Sequence, residues 1–296
     1  MVVREKEAKP VGESKPRLDA REKVSGAAVF GDDIQFGNAL LYARILRSPH
    51  PHARILSIDT AKAEAHPGVK AVVTGDDFPG YIGLYLLDRH IFARDRARYV
   101  GDPIAAVAAT SELIAEDALD LIEVEYEVLE PVIDAEYGAS PDSPLIHPNL
   151  EDYQVASFIL PQPNSNISNY FKIRKGDTDS AWEKCAAVVE RKYRIPHIQH
   201  VPIEPHVAVA QVEESGEITL WGSSQSPFAQ RNLIAQALGI SQSDMRVIAP
   251  YVGGGFGSKA GVSMESLAVA VATKVKGRPV KLLLTREEEF FTAFVR

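Results

Sequence analysis

The spacing of apolar residues divides this chain into stretches of period two and stretches of helical period. Residues 38–47 and 53–58 are strand-like, residues 69–74 are extended, and residues 103–109, Pro-Ile-Ala-Ala-Val-Ala-Ala, read as a further strand. Residues 122–128 alternate apolar and polar positions, the pattern of a half-exposed strand. Asp59 stands where it can cap a short helix beginning at Thr60, and Ser111 where it can cap one running to Leu119. These elements predict a compact α+β domain over residues 27–137. A charged, proline-containing arm over 1–26 precedes it, with no periodicity of its own. Residues 80–98 fit neither rhythm.

Residues 138–168 are crowded with Pro, Asp, Asn and Ser, which predicts a linker across the surface between two domains. Beyond it, residues 170–174, 187–195 and 207–212 read as extended and 177–185 as helical. From Glu217 the chain alternates strand, helix, strand, helix, strand. Ser226 and Pro227 fall at the N-cap and first position of a helix that Gly239 ends. Residues 245–252 are a short apolar run rich in β-branched side chains, as a buried strand would be. Met264, Leu267, Ala268, Val271 and Val275 follow at helical spacing until Gly277 and Pro279 supply a stop. Units of this kind build an α/β layer whose loops gather at one end of the strands. The turn at 223–226 and the loop at 253–259 both follow strands, so both are expected on the same edge. Thr285 and Glu288 form a capping box for a last helix exposing Phe290, Phe291, Phe294 and Val295. Burying those four against a partner would contribute on the order of 6 kcal/mol.

Composition narrows the class. With 45% hydrophobic residues in 296 positions the chain can bury a sizeable core, and its length favours two domains. A net charge of −8 argues against a nucleic-acid binder, which needs a basic face to neutralise phosphates. No apolar run is long enough to span a membrane, and the first residues lack the apolar core of a signal peptide, so the cytoplasm is the expected compartment. Cys185 is the only cysteine, which leaves no internal disulfide, iron–sulfur site or cysteine-based zinc site.

The sharpest candidate chemistry lies in Gly253, Gly254, Gly255, Phe256, Gly257, Ser258 and Lys259. Four glycines in five positions remove the Cβ atoms that hold a ligand off the backbone, and they permit positive φ. Opening onto a helix N-terminus, such a loop would favour an anion. A phosphate-binding P-loop needs Gly-Lys-Ser/Thr, and Ser258-Lys259-Ala260 lacks the metal-binding hydroxyl. A dinucleotide fingerprint can be forced from Gly255, Gly257 and Ala260, with an acid at Glu287 lying further on than the usual offset of about 20 residues. A plain tight turn does not require four clustered glycines. His197, His200, Glu204 and His206 crowd a second stretch. Their spacing fits no helical zinc motif, and Pro202 and Pro205 interrupt it, so a structural hydrogen-bonding role is expected of His200 and Glu204.

The segment 253–259 resembles the Gly-Gly-Gly-Phe-Gly-x-Lys loop of the molybdenum hydroxylases, the xanthine dehydrogenase and aldehyde oxidase family. Ser224-Gln225 is similar to that family's Ser/Thr-Gln turn, and Tyr-Val-Gly-Asp-Pro at 99–103 resembles part of the domain that precedes its cofactor-binding one. The resemblance implies an α+β chain in which an α/β hammerhead-like domain, 27–137, is followed by the first part of an α/β molybdopterin-binding domain, 169–296. It implies that Gly254, Gly255, Phe256 and Gly257 meet a molybdenum–molybdopterin cofactor, plain or in its cytosine dinucleotide form. The Gln225 amide would hydrogen-bond an oxygen ligand of the metal, a task suited to a group that is neutral at any pH and can donate or accept. No side chain is expected to ligate the metal directly.

Ala260 stands at the substrate-binding position where family members that oxidise purines carry glutamate. Alanine neither donates nor accepts, which favours aldehydes, other heterocycles or a carbon monoxide-type substrate, with Glu265 as the candidate substitute. The family's general base and substrate-orienting arginine fall in a part of its sequence that this chain lacks, so no catalytic residue is assigned. The implied partners are the C-terminal half of the molybdenum subunit, an iron–sulfur subunit and an FAD subunit, which take electrons from a small molecule oxidised with water as oxygen source. The rival readings are an NAD(P)-dependent dehydrogenase domain and a non-catalytic assembly subunit of a molybdenum enzyme.

Overall fold

A computed structural model describes residues 11–292 except Glu13 and Ser263. Up to residue 138 the elements are α1 (Ala20–Ser25), β1 (Leu41–Arg47), β2 (Ala53–Asp59), α2 (Ala61–Glu64), β3 (Val69–Thr74), β4 (Tyr81–Ile82), β5 (Arg89–His90), β6 (Arg96–Ala97), β7 (Pro103–Ala109), α3 (Glu112–Leu119), β8 (Glu123–Val128) and α4 (Ala135–Gly138). After it come α5 (Thr178–Glu183), β9 (Val207–Val212), β10 (Ile218–Gly222), α6 (Pro227–Leu238), β11 (Met245–Ile248), α7 (Glu265–Ala272), β12 (Val280–Leu283) and α8 (Arg286–Thr292).

Seven strands make one mixed sheet in the order β11-β10-β9-β12-β1-β7-β3. Small side chains fill β7, which lies between β1 and the edge strand β3 and is buried at all seven positions. Its alternate residues point to opposite faces, so Ala105, Val107 and Ala109 meet Ala115 and Ala118 of α3, while Ala106 and Ala108 join the cluster that α7 covers. All eight residues of α7 are buried, the expected place for a helix apolar nearly all round. The strands β6-β2-β8 form a second sheet and β4-β5 a third. The α+β class read from the sequence is the class observed.

The large sheet takes β1, β3 and β7 from before the 138–168 connection and β9 to β12 from after it. The seam is the parallel pair of β1 and β12, with Leu41 opposite Val280 and Ala43 opposite Leu282. Local signals hold well. The Ser111 hydroxyl accepts from the Ile114 N–H, Asp59 accepts from the Ala61 N–H at 3.0 Å, and Gly239 ends α6 at φ 67°. Thr285 and Glu288 exchange hydrogen bonds as a capping box, at 2.9 and 3.1 Å.

Other expectations are corrected. Residues 171–174 and 187–195 form no strand, and among the described residues no backbone–backbone hydrogen bond reaches either. Alternation makes a segment fit for a sheet but does not supply its neighbour. The strand read over 245–252 is paired only as far as Ile248. Beyond it an isolated parallel bridge joins Tyr251 to Phe30. The glycine loop does not open onto a helix, because residues 258–264 intervene before α7. A helix, α1, forms within the arm and buries none of its residues. Its Glu22 accepts from the Tyr251 hydroxyl. Phe290 and Phe291 are exposed on α8 as expected; Phe294 and Val295 lie outside the described residues.

Candidate functional site

Strand direction brings the candidate residues together. β10 and β11 are parallel neighbours, Trp221 opposite Ile248, so their C-terminal ends open on one edge. β9 runs antiparallel to β10 and β12, Gly222 facing Ala208 and Leu283 facing Val207, so the residues before β9 and after β12 reach that same edge. The turn after β10, the loop after β11, the histidine-rich stretch before β9 and the start of α8 therefore share one rim.

On it, Gln225 and the glycine loop touch. The Gly257 N–H donates to Gln225 Oε1 at 3.0 Å, and the Gln225 N–H donates to the Lys259 carbonyl at 2.9 Å. With the carbonyl end engaged, the amide's Nε2, a donor only, is the end left to meet a ligand, and Gln225 is exposed. The loop comes so close that a Cβ on Gly255 would stand 2.4 Å from Gln225 Oε1. Gly254, Phe256 and Gly257 all have positive φ, at 104°, 54° and 107°. For Phe256 that conformation costs on the order of 1–3 kcal/mol. Its ring is 73% exposed, so the strain is not compensated by burial within this chain.

Beneath the loop lies a buried polar frame. Glu204 Oε2 accepts from the Gly253 N–H at 2.7 Å and from Lys259 Nζ at 2.8 Å, while the Glu204 carbonyl accepts from the same Nζ at 2.9 Å. Lys259 is 1% exposed. A Cβ on Gly253 would stand 2.5 Å from the Glu204 Cβ, which is why the loop can sit this low. Next to it, His206 Nδ1 is 2.7 Å from Glu289 Oε1 and Nε2 is 3.1 Å from the Ser258 carbonyl. Both ring nitrogens face acceptors, which fits the doubly protonated imidazolium. Burial works against that charge, but the Glu289 hydrogen bond and the nearby Glu265 and Glu289 carboxylates outweigh it and hold the His206 pKa above its ordinary value. Burial likewise works against the Glu289 carboxylate, and the His206 hydrogen bond and charge overcome it, leaving its pKa below the usual range.

The expected structural role of Glu204 is thus observed, but not that of His200. Its Nδ1 is buried and has no hydrogen-bond partner among the described residues, and its Nε2 lies 3.4 Å from where a Gly257 Cβ would stand. Ala260 is half-buried beside the loop, its N–H donating to the Gly257 carbonyl at 3.2 Å. Glu265, the candidate substitute for a substrate-binding acid, is 1% exposed in the first turn of α7. Its carboxylate is close enough to His206 to favour the charged imidazole. Among the described residues no group of three or more His, Cys, Asp or Glu is placed to hold a metal ion. The sequence reading missed the buried Lys259 and the His206–Glu289 pair. The only signal for either was an acid–histidine cluster next to Pro205 and a run of three glutamates opening α8.

A pterin-bound metal fits this rim by the chemistry of its donors. Among the described residues the N–H groups of Gly254, Gly255 and Phe256 have no acceptor. Together with Gln225 Nε2 they offer a patch of neutral donors, with no Cβ atom at Gly254 or Gly255, suited to oxygen-rich groups.

Residues 160–296 match the molybdopterin cofactor-binding domain family, and residues 25–130 match the a/b hammerhead domain of aldehyde oxidase and xanthine dehydrogenase. The chain is 35% identical to the nicotinate dehydrogenase large molybdopterin subunit of Eubacterium barkeri over 285 residues, 96% of this chain and 63% of that one. It is 36% identical to a probable xanthine dehydrogenase subunit of Bacillus subtilis over 277 residues, 93% of this chain and 35% of that one. Quinoline 2-oxidoreductase from Pseudomonas putida 86 superposes with a TM-score of 0.82 at 29% identity, over 98% of this chain and 36% of its own. The chain thus spans from about a third to just under two thirds of the length of these relatives. These matches set aside the nicotinamide-dehydrogenase reading, whose helix-opening glycine loop is absent. They set aside the assembly-piece reading as well, because the likeness is to the molybdopterin-binding subunit itself.

Proposed function

The chain belongs to the xanthine dehydrogenase and aldehyde oxidase family of molybdenum hydroxylases, and on that premise we propose that it forms one wall of the molybdopterin pocket in a multi-subunit oxidoreductase. The proposed substrate is an aldehyde or a nitrogen heteroaromatic, oxidised with water as the oxygen source. When bound, the cofactor supplies the two-electron chemistry. Electrons leave to iron–sulfur and FAD partners, and the cytosine dinucleotide form of the cofactor and a cytoplasmic location are part of the same proposal. So is the division into an arm at 1–26, a hammerhead-like domain at 27–137, a linker at 138–168 and a cofactor domain at 169–296.

Within that pocket the residues of this chain bind and orient. The N–H groups of Gly254, Gly255 and Phe256 are the donors toward the cofactor, and Gln225 Nε2 is the donor toward an oxygen at the metal. Gly257 keeps the Gln225 amide from flipping, because its own N–H holds Oε1. Phe256 places an apolar ring at the mouth, which excludes water from the bound group. Ala260 leaves an apolar surface where a purine would need a charged partner, which supports the non-purine substrate. No residue of this chain is proposed as general base.

The observation that carries the reading is the Gly257–Gln225 hydrogen bond, which joins two rim segments 32 residues apart and turns the amide donor outward. Metal analysis of the chain alone and with its copurifying polypeptides tests it. Little molybdenum is expected alone and stoichiometric molybdenum in the complex. A complex free of molybdenum would overturn the reading.

A further inference from the structure

The histidine-rich stretch before β9 holds one residue that the buried frame does not use, and around it the chain is clamped on both sides. Gln199 Oε1 accepts from the His200 N–H at 2.7 Å, while Gln199 Nε2 donates to the Glu289 carbonyl at 2.6 Å and so ties the stretch to α8. On the other side Pro202 packs against the glycine loop, its Cβ 3.4 Å from where a Cβ on Gly254 would stand. Between the two clamps Val201 has φ 45°. Left-handed backbone is an outlier for a β-branched residue, and a residue before proline is pushed towards extended backbone. Val201 is 44% exposed, so its own burial does not account for the strain. Strain that neighbours on both sides enforce collects where a side chain is presented to a ligand.

The side chain presented here is the His200 imidazole. Its Nδ1 is buried without a partner. A proton there would be a donor sealed from every acceptor, so the proton of the neutral ring belongs on Nε2. Among the described residues His200 makes only its backbone bond to Gln199, which leaves Nε2 unused. Nε2 lies 3.4 Å from where a Cβ on Gly257 would stand, and the Gly257 N–H holds Gln225 Oε1. Two side chains from separate segments thus flank one glycine, each with an N–H donor to spare. We propose that His200 Nε2–H donates to an oxygen of the bound cofactor beside the Gln225 amide, with the strained backbone at Val201 holding the ring in place. The inference rests on the reading that this rim binds molybdopterin.

Replacements at position 200 in the complex purified from its own source test which nitrogen matters. His200→Gln carries an N–H donor near the place of Nε2, His200→Asn carries its amide near the place of Nδ1, and His200→Phe fills the volume with no nitrogen. The rate at which pterin leaves the complex in dilute urea, followed by the fluorescence of the released pterin, is read beside molybdenum content. His200→Phe and His200→Asn are expected to release it about 10-fold faster or more, and His200→Gln within about 3-fold of the unaltered complex. Equal release from all of them would overturn the proposal. So would a tight His200→Phe beside a leaky His200→Gln, the pattern of a ring that only packs. Failure of all three variants to assemble would overturn it too, since the ring would then serve the fold. An unaltered complex that holds molybdenum, with release unchanged in His200→Phe, defeats the role of His200 alone. An unaltered complex without molybdenum defeats the pocket reading and the role of His200 with it.

Discussion

Lys259 ends the glycine loop and Gln225 touches it, and the two differ in how they depend on it. Lys259 is buried against Glu204, so Lys259→Met leaves a carboxylate 11% exposed with no cation beside it. The expected cost is about 3–5 kcal/mol, read by urea denaturation. A loss under about 1 kcal/mol would mean that Glu204 is served by its backbone partner alone. Gly255→Ala presses instead on the far end of an exposed glutamine, which can swing away, so that variant is expected to fold with nearly unchanged stability and a displaced Gln225. That the glycine loop and Gln225 share an edge was legible in the sequence because each follows a strand of one α/β layer. Lys259 was not, since lysine is ordinarily exposed and its partner lies 55 positions upstream.

Elements read best where their signals were local. The caps of α3, α6 and α8 lie within a few residues of the turns they close, and all three were visible in the sequence. Residues 187–195 were misread because strand pairing depends on a neighbour that periodicity does not reveal. What α8 does for the site was hidden too: it carries Glu289 under the loop to His206. The raised His206 pKa gives stability that is complete below its unfolded value of about 6.5 and is lost as pH rises through the folded value. The lowered Glu289 pKa gives stability present above about 4.3 and lost as pH falls through the folded value. Stability measured by denaturation from about pH 2 to 9 should therefore decline on both flanks. Glu289→Gln should move the alkaline decline to lower pH, because burial then acts on His206 without the paired carboxylate. An unmoved alkaline flank would show that the pair does not stay charged.

At the scale of the whole molecule, the sequence suggested two domains and a linker at 138–168; the family matches cover 25–130 and 160–296, the second beginning inside that linker. The parallel seam between β1 and β12 was not legible, because it joins residues almost 240 positions apart. Since that seam makes one sheet of both halves, thermal unfolding is expected as one cooperative transition followed by two probes. Two separated transitions would mean that the seam is weak. The same sheet places four chain segments at one rim, the place proposed for a molybdenum centre. The most direct measurement is the electron paramagnetic resonance signal of molybdenum in the complex with Gln225→Ala, beside the unaltered complex and with metal content measured on both. A changed signal at equal molybdenum content is predicted. Identical signals would contradict the placement of Gln225 at the metal.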